Sequence, residues 1–432
     1  MPLTKEKIDA YITILKEELL VAMGCTEPIA IAYGAAILRR TLGRNPQRVC
    51  ARLSGNIIKN VKSVIVPATG GLHGIEAAVA AGIIASCPER QLEVLSALRQ
   101  EDQPRITEFL STCVITIEEM ESPHTFDLEL TGWAEADTVT VRISGNHTNV
   151  VFVRMNDVDV TPVFRCDVQD DQSNRTDRSV LNVEDILTFA SETPLDELRP
   201  LLERQVQMNM AIAEEGLKGG YGACIGKVLY RNGEASLRDQ ARAYAAAGSD
   251  ARMSGCEMPV GILSGSGNQG ITASVPVVVY AKALGKSHDE MLRALLVSNL
   301  ITIHQKTGIG CLSAYCGAIS AGCGCGAGIC YLLGGDYRAI AHTLVNAVAI
   351  LSGTICDGAK PSCAAKIAMA VEAGIMGYEM TKAGYQFYSG DGIVTKGVEN
   401  TIRNVGKLAR DGMSGTDKEI IRIMLQKPDH HK

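Results

Sequence analysis

Apolar residues Ile8, Ile12, Leu15, Leu19 and Leu20 recur at helical spacing and predict an amphipathic helix over residues 5–23. A second helix is expected over 27–42, with Thr26 as N-cap and Pro28 in its first turn. Residues 48–53 and 62–67 read as short strands and 75–86 as an alanine-rich helix. The period then shortens: 113–117, 126–130, 138–143 and 150–155 are β-branched or alternating, and Gly145-Asn146 suits a hairpin turn. The polar run 167–179 (DVQDDQSNRTDRS) offers almost nothing to bury and marks a domain boundary. Beyond it the pattern is helical over 183–192, 195–215, 235–247, 289–304, a cysteine-rich segment, 337–351 and 364–373, with glycine clusters between. No repeat of fixed period is present. The expected fold class is α+β: a mixed α/β domain with a β-rich section over residues 1–180, carrying Cys25, then a mainly helical domain over 181–432.

The composition narrows this picture. Hydrophobic residues make up 46% of the 432-residue chain but aromatics only 4%, so the interior must be built from small residues whose backbones approach closely. A net charge of −6, with no basic stripe and no aromatics interleaved with Lys or Arg, argues against nucleic acid. Residues 307–335 carry no charge and are long enough to span a bilayer, but they are rich in Gly, Cys, Ser and Ala. A buried central helix is expected there, not a membrane span. The N-terminus is amphipathic and charged with no apolar signal region, so the 14 cysteines point to a reduced cytoplasm and to a metal or catalytic site rather than disulfides.

The cysteines divide by context. Cys316, Cys323 and Cys330 fall seven residues apart, which alone reads as a buried seam of small apolar side chains, and Cys311 and Cys325 lie off that stripe. Cys356 and Cys363 flank Asp-Gly and Lys-Pro, turn residues that let a loop bring two sulfurs together. Their spacing is not that of a zinc finger, and no CxxC occurs. Cys25 precedes a helix N-terminus, where the dipole favours thiolate, although Glu27 opposes it. Three thiolates on a cubane iron–sulfur cluster leave one iron open as a Lewis acid, the arrangement of an enzyme rather than an electron carrier.

Glycine-rich loops supply polar candidates. Residues 264–270 (SGSGNQG) contain a G-x-G-x-x-G, but Pro276 interrupts the expected helix, so a dinucleotide site is set aside. The preferred reading is a carboxylate held by backbone N–H groups with Ser266, Asn268 and Gln269. Asn56, Lys59 and Thr69 line a second pair of loops, and His147 sits in the hairpin turn.

In order along the chain, GCTEP, S-x-N-I-x-K-N with VPATG, HTN, SDARMSG, SGSGNQGI, SAYCG and DGAKPSCAAK resemble the L-cysteine desulfidase family, a relative of the α chain of iron–sulfur L-serine dehydratases. The resemblance covers essentially the whole chain. It implies a pyridoxal-independent [4Fe–4S] lyase giving pyruvate, ammonia and sulfide from L-cysteine, with Cys316, Cys356 and Cys363 as cluster ligands and Cys25 as the base. Cys311, Cys323, Cys325 and Cys330 lie outside the pattern. The expected partner is a small amino acid, L-cysteine or L-serine, with no nucleic acid and no membrane, and a homodimer is the assembly considered. Outside the lyases, the rival reading is an iron–sulfur sensor.

Overall fold

The computed structural model describes residues 2–161, 175–231, 234–310 and 313–425. It is an α+β protein with a mixed sheet in the N-terminal half and a mainly helical remainder.

The first half runs α1 (Lys5–Glu18), β1 (Val21–Met23), α2 (Thr26–Leu42), β2 (Arg48–Leu53), α3 (Gly55–Val61), α4 (Gly74–Ala85), α5 (Gln103–Thr112), β3 (Val114–Glu119), β4 (Asp127–Ala134), β5 (Asp137–Ser144), β6 (Val150–Met155) and β7 (Val158–Asp159). The six-stranded sheet has the order β3-β2-β4-β5-β6-β7, with β2 and β3 parallel and the other pairs antiparallel. Its apolar face is covered by α2, which is buried almost throughout its length. A Cβ on Gly34 would fall 3.2 Å from Leu130 Cδ1 on β4, and one on Gly82 of α4 would fall 2.1 Å from the Ala32 carbonyl oxygen. Small residues therefore set how closely helix, sheet and helix stack, as the scarcity of aromatics requires.

The second half runs α6 (Val183–Glu192), α7 (Arg199–Lys218), α8 (Ile225–Tyr230), α9 (Leu237–Met253), β8 (Pro259–Gly261), α10 (Gly267–Ala283), α11 (His288–Ile309), α12 (Gly317–Leu332), α13 (Tyr337–Leu351), α14 (Cys363–Lys382), α15 (Val398–Lys407) and α16 (Ser414–Leu425). The charge-free segment forms α12, buried among α10, α11, α13 and α14. Glycines again permit the contact: Cβ atoms on Gly322 and Gly326 would lie 2.3 and 2.5 Å from carbonyl oxygens of Ala370 and Gly374 on α14. Among the described residues no helix is long and apolar enough to cross a membrane.

Three local expectations change. The first helix stops at Glu18 because the chain turns into β1, which pairs antiparallel with β8, and Leu20 accepts a hydrogen bond from Ile262 N–H (2.8 Å). Residues 62–67 form no strand but carry one isolated bridge, Ile65 to His73, while the preceding loop candidate is the helix α3. Pro276 lies inside α10 and does not end it. Residues 167–174 of the polar run and Cys311 lie outside the described residues.

Two large apolar cores and a small cluster of Ala246, Ala364 and Ala368 form among the described residues. One joins α2, α4 and the sheet. The other joins the helices of the second half and includes Tyr11, Ile14 and Leu15 of α1, with Tyr11 packed on Phe189 at 5.2 Å.

Candidate active site

One cavity of about 210 Å³ collects residues from both cores, including Cys25, His147, Arg252, Cys316, Cys356 and Cys363. It is small beside the roughly 300–1,000 Å³ of sites for drug-sized ligands, and suits a compact substrate.

Its first wall is the start of α2. Cys25 occupies the N-cap in extended conformation but makes no capping bond. Instead its thiol donates to Glu27 Oε2 at 3.1 Å. The Thr26 hydroxyl shares its one proton between the same oxygen (3.1 Å) and the Gly265 carbonyl, and Asn60 Nδ2 donates to Oε1 (3.1 Å), so both oxygens of the buried carboxylate are engaged. Burial raises the Glu27 carboxyl, but His147, the Cys25 thiol and Arg252 together outweigh it and hold the group below the usual carboxylate range. The Cys25 thiol moves the other way: burial, then the Glu27 charge, push it well above its ordinary value, and Arg252 only partly opposes them. The dipole argument for a resting Cys25 thiolate is thereby reversed, because desolvation and an adjacent carboxylate exceed a helix-end partial charge.

His147 lies in the turn between β5 and β6, its ring 4.5 Å from that of Phe126. Burial lowers its pKa despite Glu27, and Nε2 has no partner among the described residues.

A second wall is the start of α10. Ser264 and Gly265 adopt positive φ (48° and 76°), which turns the loop sharply into the helix. Ser266 is the N-cap and makes no side-chain capping bond. Thr26 Oγ1 donates to the Gly265 carbonyl (3.2 Å), tying this loop to the Cys25 wall. Gln269 reaches across to Gly317, where a Cβ would fall 2.8 Å from its Cδ. Arg252, at the end of α9, donates through Nη1 to Asn268 Oδ1 (3.1 Å).

The sulfurs form the floor. Cys316 N–H donates to the Thr354 carbonyl (3.1 Å) and Cys356 N–H to that of Ala314 (2.6 Å), around a Tyr315–Ile355 bridge. This ties the loop entering α12 to the loop leaving α13. Cys363 opens α14, its thiol 3.5 Å from the Gly358 carbonyl oxygen. Gly358 has φ +95°, and a Cβ there would meet the Lys59 carbonyl oxygen at 2.1 Å, so the loop lies directly against α3. Burial, then the neighbouring Cys356, push the Cys316 thiol up to about 12; burial also raises Cys363, and the neighbouring Cys356 adds to that rise. Buried thiols such as Cys316 and Cys363, held neutral in this way, suit a cationic iron core, which favours thiolate. Among the described residues no three His, Cys, Asp or Glu side chains gather around a single ion. A cubane does not require that, since its ligand sulfurs are spread over separate irons. Three thiols lining one cavity are the donor type such a cluster takes.

The sequence-predicted residues divide accordingly. Cys25, Lys59, His147, Ser266, Asn268, Gln269, Cys316, Cys356 and Cys363 line the cavity. Lys59, however, is buried with its ammonium paired to Asp417 of α16, so its charge is already engaged. Asn56 faces a second cavity beside Glu121 and His124, because its segment is a helix that carries it one turn away from Asn60. Thr69 closes its own turn, donating to the Val66 and Leu72 carbonyls (2.7 and 3.3 Å), and does not reach the site. Cys323, Cys325 and Cys330 are buried along α12, away from the cavity, Cys325 donating to the Gly322 carbonyl (3.1 Å). Asn60 and Arg252 are not among the sequence-predicted site residues, and Glu27 is expected only to oppose a Cys25 thiolate. An acid in a helix's first turn is ordinary, and only burial distinguishes this one.

Residues 89–422 match the sequence profile of the serine dehydratase alpha chain family. The chain is 54% identical over 415 residues to the UPF0597 protein of Desulfitobacterium hafniense (strain Y51), covering 96% of both. It is 44% identical over 431 residues to the UPF0597 protein of Treponema denticola, covering 99% of this chain and 100% of the relative. The UPF0597 protein of Phocaeicola vulgatus is 37% identical over 432 residues, with 98% and 99% covered. By the span of the profile match and the full-length likeness of these relatives, the chain belongs to the serine dehydratase alpha chain family.

Proposed function

We propose that the protein is a pyridoxal-independent iron–sulfur lyase of the cytoplasm that eliminates sulfide from L-cysteine, giving pyruvate, ammonia and sulfide. The observation that carries this reading is the meeting of the Cys25–Glu27 pair with Cys316, Cys356 and Cys363 in one small cavity. In this reading residues 1–180 supply the acid–base groups, and residues 181–432 supply the cluster ligands and the substrate-carboxylate site.

Cys316, Cys356 and Cys363 would hold a [4Fe–4S] cluster, which when bound supplies an open iron as Lewis acid to the leaving sulfur. The protein's own groups handle the proton. The α-hydrogen is weakly acidic and needs a base within hydrogen-bond reach. Glu27 accepts the Cys25 thiol proton along the existing bond, and the Cys25 sulfur takes the α-proton. The electron pair left on Cα forms the double bond as the Cβ–S bond breaks. The resulting aminoacrylate tautomerises to an imine and hydrolyses to pyruvate and ammonia. The α10 loop holds the substrate carboxylate, and His147 offers Nε2, which has no partner among the described residues. Lys59 and Lys366 are paired with Asp417 and Asp357, which suits a reaction that needs no Schiff base.

The family description favours L-serine as a second substrate, since a hydroxyl and a thiol leave through the same geometry. Sulfur's softness toward iron favours the thiol. Anaerobic purification, iron–sulfide reconstitution and pyruvate release from each amino acid test both. Cluster-dependent turnover of L-cysteine above L-serine is expected. Pyruvate release independent of the cluster would remove the iron–sulfur assignment, and a bound cluster without turnover would favour a sensor.

A further inference from the structure

We propose that Arg252 is the carboxylate receptor of this cavity, binding the α-carboxylate of the substrate together with the first turn of α10 and so demanding a free carboxylate. The inference rests on the reading of the cavity as an amino-acid site, and supplies the charge that the polar loop alone lacks.

Arg252 is 3% exposed, yet its hydrogen bond runs to a neutral amide, Asn268. Its Nε is buried without a partner among the described residues. A guanidinium in such a place is costly unless an anion joins it. Glu27 is close enough for its charge to be felt, but its two oxygens already receive the Cys25, Thr26 and Asn60 donors.

The guanidinium is aimed at a helix end. A Cβ on Gly267, the first residue of α10, would lie 2.3 Å from Arg252 Nε. The N–H groups of this first turn have no partners within the helix and carry its positive dipole end. One further donor here has no partner among the described residues: Ser264 Oγ, on a residue 8% exposed. A planar fork beside open backbone donors matches a carboxylate. The same placement sets the carboxylate on the α10 side of the cavity and leaves the α-hydrogen to the Cys25 wall, to which the Thr26–Gly265 bond fastens it.

L-alanine tests this without turnover, because it has the carboxylate and no leaving group. In calorimetric titration of the full protein, L-alanine should bind, and L-alaninamide, which lacks the anion, should bind at least about tenfold more weakly. Arg252→Gln should weaken L-alanine by about a hundredfold and leave the amide unchanged. Arg252→Lys, which keeps the charge but loses the fork, should fall between them. In reconstituted enzyme the Arg252→Gln loss should appear in KM more than in kcat, with the visible cluster spectrum retained. No binding of L-alanine by the wild type, equal binding of acid and amide, or an unchanged KM in Arg252→Gln would each overturn the proposal. The wild-type comparison decides even where a variant does not fold. Absence of turnover with Arg252-dependent binding intact would instead count against the lyase reading alone.

Discussion

The Cys25 thiol donates to the Glu27 carboxylate two residues away, across 3.1 Å at the buried start of one helix. The pair stores its negative charge on oxygen, and Cys25 becomes a base only as Glu27 takes its proton. Glu27→Gln should therefore lower kcat by about a hundredfold or more while the cluster spectrum is kept, as should Cys25→Ala. Because the thiol is held high and the carboxyl low, kcat with L-serine should be flat through neutrality. A rise through about pH 8.5, the ordinary thiol value, would instead identify a lone thiolate.

The cysteines separate into two experimental groups. Replacing Cys316, Cys356 or Cys363 by Ala should each abolish stable cluster absorbance after reconstitution. Cys323→Ala and Cys325→Ala should keep it and cost about 1 kcal/mol in urea unfolding, the price of a small core cavity. A cluster lost in the second group and kept in the first would reverse the ligand assignment.

Two glycines should fail differently. At Gly317 a methyl meets the movable end of Gln269, so Gly317→Ala should reduce kcat/KM about tenfold with little change in Tm. At Gly358 it meets the Lys59 carbonyl in a positive-φ turn, so Gly358→Ala should cost roughly 2–4 kcal/mol and the cluster with it.

Asp417→Asn leaves the Lys59 ammonium buried beside a neutral partner, and should destabilise the protein by about 3 kcal/mol. The double replacement Lys59→Met with Asp417→Leu should recover most of that loss, measured by chemical denaturation.

Burial raises the Asp250 carboxyl to about 6, against the N–H groups of Gly226 and Ile225, which lower it. The folded state thus binds its proton more tightly than the unfolded chain. That contribution is complete below about pH 3.8 and is lost as pH rises through about 6. Relative to Asp250→Asn, the wild type should lose on the order of 2 kcal/mol between pH 4 and 7. An unchanged difference across that range would contradict it.

Periodicity exposed the elements whose environment is local. α2, α4, β2 and the meander β4–β6 carry their burial pattern in their own residues, so their positions follow from spacing. What was missed depends on remote partners. Val21–Met23 leave the helix because β8 supplies their hydrogen bonds from more than two hundred residues away. Pro276 is tolerated in α10 because that helix is enclosed by others. The thiols of the floor were legible as phrases resembling a known family, not as spacing. Arg252, and any role of Glu27 beyond opposing a Cys25 thiolate, stayed hidden because each is an ordinary residue type made unusual only by enclosure, and enclosure is a property of the folded chain.

The Thr26–Gly265 bond crosses from the Cys25 wall, on the sheet-side core, to the loop of the helical core that faces it. In the proposed assignment, proton transfer and leaving-group activation are thus carried by different masses of protein, aligned by contacts such as this one. A displacement of one against the other would silence the reaction while every reactive side chain stayed in place. Alignment of the two cores is thus a property that selection must maintain separately from the stability of either.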